Sequence, residues 1–329
     1  MKRKNNLYED ICKIEHIEMV VNKIFKTCKN KERVYKWESI KDVLIVKIHQ
    51  DLLNKDYKFS KYHKFIIYEP KKRVIMAMDM YDKIVNHLVS EYILLPSIVP
   101  GLIDSNVASR KNKGTSYGVK LYYKYRNIYD SKYGKDNYYL LKLDISKFFD
   151  SIGHDILKNK LRTKIKDKDA LNILDIIIDS TDKGIPIGAN TSQLFAIFYL
   201  DNIDKYIKEE LKIKCYIRYQ DDMLLIHHDK EYLKYCLDKI RVMLDELGMT
   251  LNNKTKIYKS NENINFIGVR KNKKYSNITR TRKKYKKQVK RYENGEISLN
   301  SLISSKMNYI NRRKGVKELW GKEFFWLFY

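Results

Sequence analysis

Tyr219-Gln220-Asp221-Asp222 lies between two apolar runs, Cys215-Tyr216-Ile217 before it and Met223-Leu224-Leu225-Ile226 after it. β-forming residues on both sides of a short polar step predict a hairpin with the acids at its turn. Adjacent carboxylates repel, and each raises the cost of ionising the other. Divalent cations relieve that repulsion, and hard carboxylate oxygens suit Mg²⁺ or Mn²⁺. The doublet therefore predicts half of a two-metal phosphoryl-transfer site. Asp144 is the candidate for the other half. It closes the run Tyr138-Tyr139-Leu140-Leu141-Lys142-Leu143, a predicted strand whose end can project a carboxylate. A lone Asp at a strand end is more often a turn or helix cap, so Asp144 gains its meaning in combination. Together, three carboxylates from two neighbouring strands can bridge two ions about 4 Å apart.

The chain of 329 residues carries a formal charge of +27, from 67 basic against 40 acidic residues. Its length accommodates two or three subdomains around a substantial core. The basic excess implies a polyanionic partner, nucleic acid first of all. A Lys-rich composition serving solubility is the plainer reading, but it leaves the stretch from Arg270 to Arg291 unexplained. No acid interrupts that stretch, and Tyr275, Tyr285 and Tyr292 interleave its basic residues. Cys12, Cys28, Cys215 and Cys236 show neither CxxC pairing nor zinc spacing, so a reduced, cytoplasmic chain is expected. Met1-Lys2-Arg3-Lys4-Asn5-Asn6 has no apolar region of the signal-peptide kind, and no apolar run reaches membrane-spanning length.

Hydrophobic periodicity predicts helices over 8–28, over the stretch from Trp37 to Leu52, and over 79–95. Phe65–Tyr68 and Val74–Met76 predict a hairpin, and 101–118 a polar loop that starts a helix. Further helices are expected over 171–178, over 193–211 with Thr191 or Ser192 near the N-cap, and over 232–247, ended by Gly248. Ile264 to Val269 predicts a short strand pair, and the last fifty residues basic helix. This order gives an α+β protein with a mixed central sheet. His227-His228-Asp229 has no further ligand at suitable spacing and reads as a solvated strand end.

From roughly Leu52 to Val269 the chain resembles reverse transcriptases. Leu143-Asp144-Ile145-Ser146-Lys147-Phe148-Phe149-Asp150 is similar to their first palm motif. Gly184-Ile185-Pro186-Ile187-Gly188-Ala189-Asn190-Thr191-Ser192-Gln193 is similar to the nucleotide-pocket motif, and Tyr219-Gln220-Asp221-Asp222 to the metal-binding box. Leu247-Gly248-Met249 through Asn252 and Lys254 resembles the next motif, and Phe266-Ile267-Gly268 the primer grip. Most of the family has Gln where this chain has Ile187 and Pro where it has Gln193. The variant here resembles enzymes of diversity-generating retroelements and related unclassified or defence-associated bacterial enzymes.

The resemblance implies a right-hand fold with an antiparallel or mixed palm sheet: N-terminal helices and fingers over 1–135, palm over 136–262, primer grip and basic thumb over 263–329. It implies RNA-directed DNA synthesis with two Mg²⁺ ions, Mn²⁺ being a possible substitute. Metal ligands would be Asp144, Asp221 and Asp222 with the Ile145 carbonyl, and Lys254 would protonate leaving pyrophosphate. Lys72, Arg73, Phe149, Ile187, Gly188 and Gln193 fall at nucleotide-binding positions. Phe149 is placed to clash with a 2′-hydroxyl and so favour deoxynucleotides. Ile187 cannot hydrogen-bond around the nascent pair as Gln would, which implies looser base selection. Arg110 and Lys113 fall in a template-contact loop, and Phe266, Gly268, Arg282, Lys283, Lys286 and Lys287 at nucleic-acid positions. Expected partners are an RNA template or noncoding RNA, a DNA or RNA primer and dNTPs, with no membrane and with a homo-oligomer or accessory protein open. Template-independent or noncoding-RNA-dedicated synthesis in antiviral defence, and a non-catalytic RNA-binding scaffold, are the competing readings.

Overall fold

The computed structural model describes residues 3–28, 31–67, 73–268, 276–303 and 306. They fall into two units, Met1–Ser260 and Asn261–Tyr329. The first unit opens with helices α1 (Tyr8–Cys12), α2 (Ile14–Thr27), α3 (Lys31–Glu38) and α4 (Lys41–Leu53). The single helix expected over 8–28 is broken at Lys13, whose backbone is extended (φ −66°, ψ 127°). The ring of His16 takes the Asp10 carbonyl at 2.7 Å, an acceptor a continuous helix would have given to the main chain.

Strands β1 (Tyr62–Ile67) and β2 (Arg73–Met78) then form a two-stranded antiparallel sheet of their own. Helix α5 (Met80–Leu88) runs through a π-segment, Val89–Leu94, into α6 (Leu95–Ile98). Helix α7 (Thr115–Tyr133) follows the polar loop. Then come β3 (Tyr139–Asp144), α8 (His154–Arg162), α9 (Lys168–Ile178), α10 (Asn190–Tyr199) and α11 (Asp201–Glu209). The helix expected over 193–211 breaks at Leu200 (φ −94°, ψ 9°), and Asp201 and Asp204 begin the next helix in the first turn, where acids meet the positive dipole end. Strands β4 (Cys215–Tyr219) and β5 (Asp222–His227), α12 (Lys230–Glu246) and β6 (Lys256–Lys259) complete the unit.

The second sheet has the order β4-β5-β3-β6, and all three of its pairings are antiparallel, where a mixed sheet was one expectation. A single parallel bridge, Asn106 to Arg218, lies on its β4 edge. Side chains alternate across the pleat. Leu141, Leu143, Met223 and Leu225 are fully buried in the main core, against which α12 packs both β3 and β5. The opposite face carries Leu140, Leu224 and Ile226, with α7 packed beside β4, and ends in the acids.

In the second unit, Ile264 and Phe266 are buried, and Phe266 makes a single β-bridge where a short strand pair was expected, part of which lies outside the described residues. Helix α13 (Ser276–Glu293) carries Lys286 and Lys287 exposed. Val269 to Tyr275 and the aromatic C-terminus from Leu319 lie outside the described residues.

Candidate active site

Asp144 stands directly opposite Asp222 on the adjoining strand, so the two side chains share one face. Tyr219 pairs with Asp222, which leaves Gln220 and Asp221 as a two-residue turn. Gln220 takes φ 55°, the left-handed conformation needed at the first position of a tight hairpin turn. The turn is held from below. Arg218 donates to the Gln220 carbonyl at 3.1 Å, and its Nε and Nη2 each reach Asp204 at 2.6 Å. Tyr216 Oη donates to the same carboxylate at 2.7 Å and Asn106 Nδ2 at 3.2 Å. Arg218 and Asp204 are fully buried, so each charge depends on the other.

Burial pushes the Asp221 carboxyl up to about 6, with the Asp222 and Asp144 charges adding to the effect and Arg73 opposing it. Burial raises Asp222 too; Lys142 and Lys254 pull it down and Asp144 pushes it further up. Lys142 Nζ lies 3.1 Å from Asp222 Oδ1. Arg73, Lys142 and Lys254 thus bring positive charge to the acids. Behind them, the Asp144 carbonyl accepts from Asn252 N at 2.7 Å, and Ile145 bridges to Leu251. The chain from 249 to 255 is tied to the strand end in this way, which brings Lys254 near.

Among the described residues, no three His, Cys, Asp or Glu side chains stand close enough together to grip an ion as placed. By donor chemistry the acids fit a hard divalent cation: all oxygen, on one face, with their own charge poorly tolerated. A cation bound here would have to compete with Lys142 for Asp222.

Several residues expected at nucleotide-binding positions are joined by main-chain contacts. The Phe149 carbonyl accepts from Ile185 N at 2.9 Å. Gly184 lies so close that a Cβ would meet that carbonyl at 2.6 Å and Asp150 Cα at 2.7 Å, and its φ is 65°. Met76 N donates to the Ile187 carbonyl at 3.2 Å, and Gly188 (φ 123°) approaches Ile75. Strand β2, which starts at Arg73, is therefore laced to the loop that carries Ile187 and Gly188. Phe149 is half-buried, with its ring 5.6 Å from Phe148. Lys72 lies outside the described residues. The N-cap of α10 is Ala189 rather than Thr191 or Ser192. Asn86 of α5 replaces a local cap, accepting from Thr191 N at 3.2 Å and donating to Thr191 Oγ1 at 2.8 Å.

Arg110 and Lys113 are spent on their own loop. Arg110 Nη1 donates to the carbonyls of Ile103 (2.7 Å) and Asn106 (2.9 Å), and Lys113 pairs with Asp104. Gln220, as a turn residue, turns its side-chain amide to Ser109. His228 stacks on Tyr133 with centroids 4.5 Å apart. Phe266 and Gly268 belong to the second unit, where Phe266 is buried.

Sequence reasoning missed Lys142, Arg218, Asp204, Asn106 and Ser109. Lys142 had a signal: a lone charge two positions before Asp144 on an apolar strand must share its face. Arg218, alone among β-formers, also signalled a buried partner. Nothing in the spacing pointed to Asp204.

Residues 60–271 match the family described as Reverse transcriptase (RNA-dependent DNA polymerase). The chain is 29% identical to the Retron Ec73 reverse transcriptase of Escherichia coli over 125 residues, 34% of this chain and 40% of that one. It is 31% identical to the putative COX1/OXI3 intron 2 protein of Saccharomyces cerevisiae over 85 residues, 22% of this chain and 10% of that one. The chain therefore matches at most 40% of the length of these two relatives. Telomerases from Candida albicans (in a complex with a fragment of telomeric RNA) and Candida tropicalis have similar folds, with TM-scores of 0.51 and 0.50 at 13% and 14% identity. Each similarity covers 72% of this chain, and 50% and 52% of those chains respectively. The polymerase fold, the opposed acids and a family match over more than half of its length agree: this chain belongs to the reverse transcriptase family.

Proposed function

We propose that the chain is an RNA-directed DNA polymerase that extends a primer 3′-end with dNTPs on an RNA template. The observation that carries the reading is the direct opposition of Asp144 and Asp222 beside the Asp221 turn. Asp144, Asp221 and Asp222, with the Ile145 carbonyl, would hold two Mg²⁺ ions or Mn²⁺ in their place. Bound there, the ions supply positive charge for the attacking hydroxyl and for leaving pyrophosphate. Until then Lys142 and Lys254 offset the charge of Asp222. Arg73, with Lys72, grips triphosphate oxygens, a contact suited to a guanidinium. Ile187, Gly188 and Gln193 line the pocket, and Phe149 lies under the sugar and excludes a 2′-hydroxyl. Lys254 gives a proton to the departing pyrophosphate.

Residues 1–135 serve as helices and fingers, 136–262 as palm, and 263–329 as primer grip and thumb. Phe266, Gly268, Arg282, Lys283, Lys286 and Lys287 meet the RNA–DNA hybrid, and Arg110 and Lys113 shape the loop beside the template. No helix among the described residues is long and apolar enough to cross a membrane, and we place the protein in the cytoplasm. The likeness to a retron enzyme favours a bacterial retroelement or antiviral setting and a dedicated noncoding RNA as template.

Primer extension on a defined RNA template tests the proposal. Asp221→Ala with Asp222→Ala is expected to lower dNTP incorporation by about 10³-fold or more while RNA binding persists. Synthesis retained in that variant rejects the assignment. RNA affinity is expected to fall steeply with salt, as phosphate contacts require.

A further inference from the structure

Three polar side chains from three separate segments meet beside the acid turn. Gln220 Nε2 donates to Ser109 Oγ at 3.0 Å, and Ser109 Oγ donates to Gln193 Oε1 at 3.0 Å. Ser109 and Gln220 both hold left-handed backbones, φ 52° and 55°, which L-residues adopt only where the surroundings impose it. Those surroundings are present. Val107 N donates to the Arg218 carbonyl at 2.9 Å, and Arg218 N to the Ser105 carbonyl at 3.0 Å, so the loop runs alongside β4 into Ser109.

The relay has a direction. Ser109 has one hydroxyl hydrogen and gives it to the Gln193 carbonyl, which fixes the side-chain amide of Gln193 with its N–H groups turned away from Ser109. Of the neighbouring polar side chains, two are bonded elsewhere and the third, Ser192, has its hydroxyl enclosed without a hydrogen-bond partner among the described residues. Asn190 is bonded to His87 at 2.9 Å and Thr191 to Asn86 at 2.8 Å. Gln193 is exposed. Ile187, nearer the loop tip, has no donor to offer. In a duplex, the minor-groove edge of every base pair offers acceptors, whatever the sequence.

Resting on the polymerase reading above, we propose that Ser109 is a positioning residue. Through Gln193 it presents an amide donor to the minor-groove edge of the nascent pair, and through Gln220 it ties that donor to the metal-binding turn. Pairs of correct shape place an acceptor there, and mismatched pairs displace it, so the relay restores part of the selectivity that Ile187 does not supply.

The test is steady-state insertion of matched and mismatched dNTPs by the full chain. Ser109→Ala is expected to raise the misinsertion ratio about fivefold, the scale of one hydrogen bond, through KM for the matched dNTP more than through kcat. Ser109→Gly is expected to do the same, although it relieves the backbone. The double variant Ser109→Ala/Gln193→Leu is expected to be no worse than Gln193→Leu alone. Parent-like fidelity in Ser109→Ala, additive losses in the double variant, or recovery in Ser109→Gly each overturn the relay. A parent chain that inserts no nucleotide overturns the polymerase reading and the relay with it; an active parent matched by its Ser109 variants overturns the relay alone.

Discussion

The two β-hairpins of the first unit are built to opposite specifications. The β4–β5 hairpin is buried along nearly all of both strands, and its turn rests on the enclosed Arg218–Asp204 pair. The β1–β2 hairpin makes a sheet by itself and leaves Phe65, Ile66 and Val74 exposed. Tyr62 bonds it to Ser180 at 2.8 Å, and Met76 to the Ile187 carbonyl at 3.2 Å. Groups that must keep a fixed geometry belong on the first kind of element. Groups that close on a substrate and then release it belong on the second. Asp221 and Asp222 sit on the one, and Arg73 on the other.

This contrast can be broken by substitution. After the paired acid variant, the largest effect is expected from Asp204→Asn, which leaves the Arg218 charge enclosed without its counter-ion. Urea unfolding should show a loss of about 3–5 kcal/mol. An unchanged midpoint would mean that the buried pair does not support the turn. Arg73→Ala should leave that midpoint alone and raise KM for dNTP about tenfold, as expected for one lost charge-assisted contact. Lost stability there would assign Arg73 to the frame instead.

Asp221 sharpens the comparison through pH. Its folded-state pKa, about 6, lies above the ordinary 3.8, so the folded chain holds the proton more tightly than the unfolded one. Stability should therefore fall as pH rises from about 4 to about 6 and stay lower above that range. In chelator at pH 7, Asp221→Asn should gain about 1–2 kcal/mol, discounted for partial solvent screening. Below the unfolded pKa the gain should vanish, and a gain that is flat with pH would refute burial of the charge as its cause. The smallest effect is expected of Ile187→Gln, a few-fold drop in misincorporation; an unchanged error rate would show that this position does not set base selection.

The opposition of Asp144 and Asp222 was legible because both ends of it are local. A strand must end and a hairpin must turn, and alternation then puts the acids on one face. The sheet face packed by Leu141, Leu143, Met223 and Leu225 was legible for the same reason. The support beneath was not. Arg218 finds Asp204 across a helix–strand packing, Asn86 caps a helix about a hundred residues away, and Ser109 reaches two other segments. The breaks at Lys13 and Leu200 also escaped periodicity, because apolar residues continue through both.

Gly184 has a practical corollary for anyone diversifying this chain. With the Phe149 carbonyl 2.6 Å from where a side chain would begin, every other residue pushes the loop off its seat. Saturation libraries aimed at the error rate can sample 187 and 193 freely and should hold 184 constant, since clones altered there would report collapse of the pocket and be mistaken for changes in selectivity.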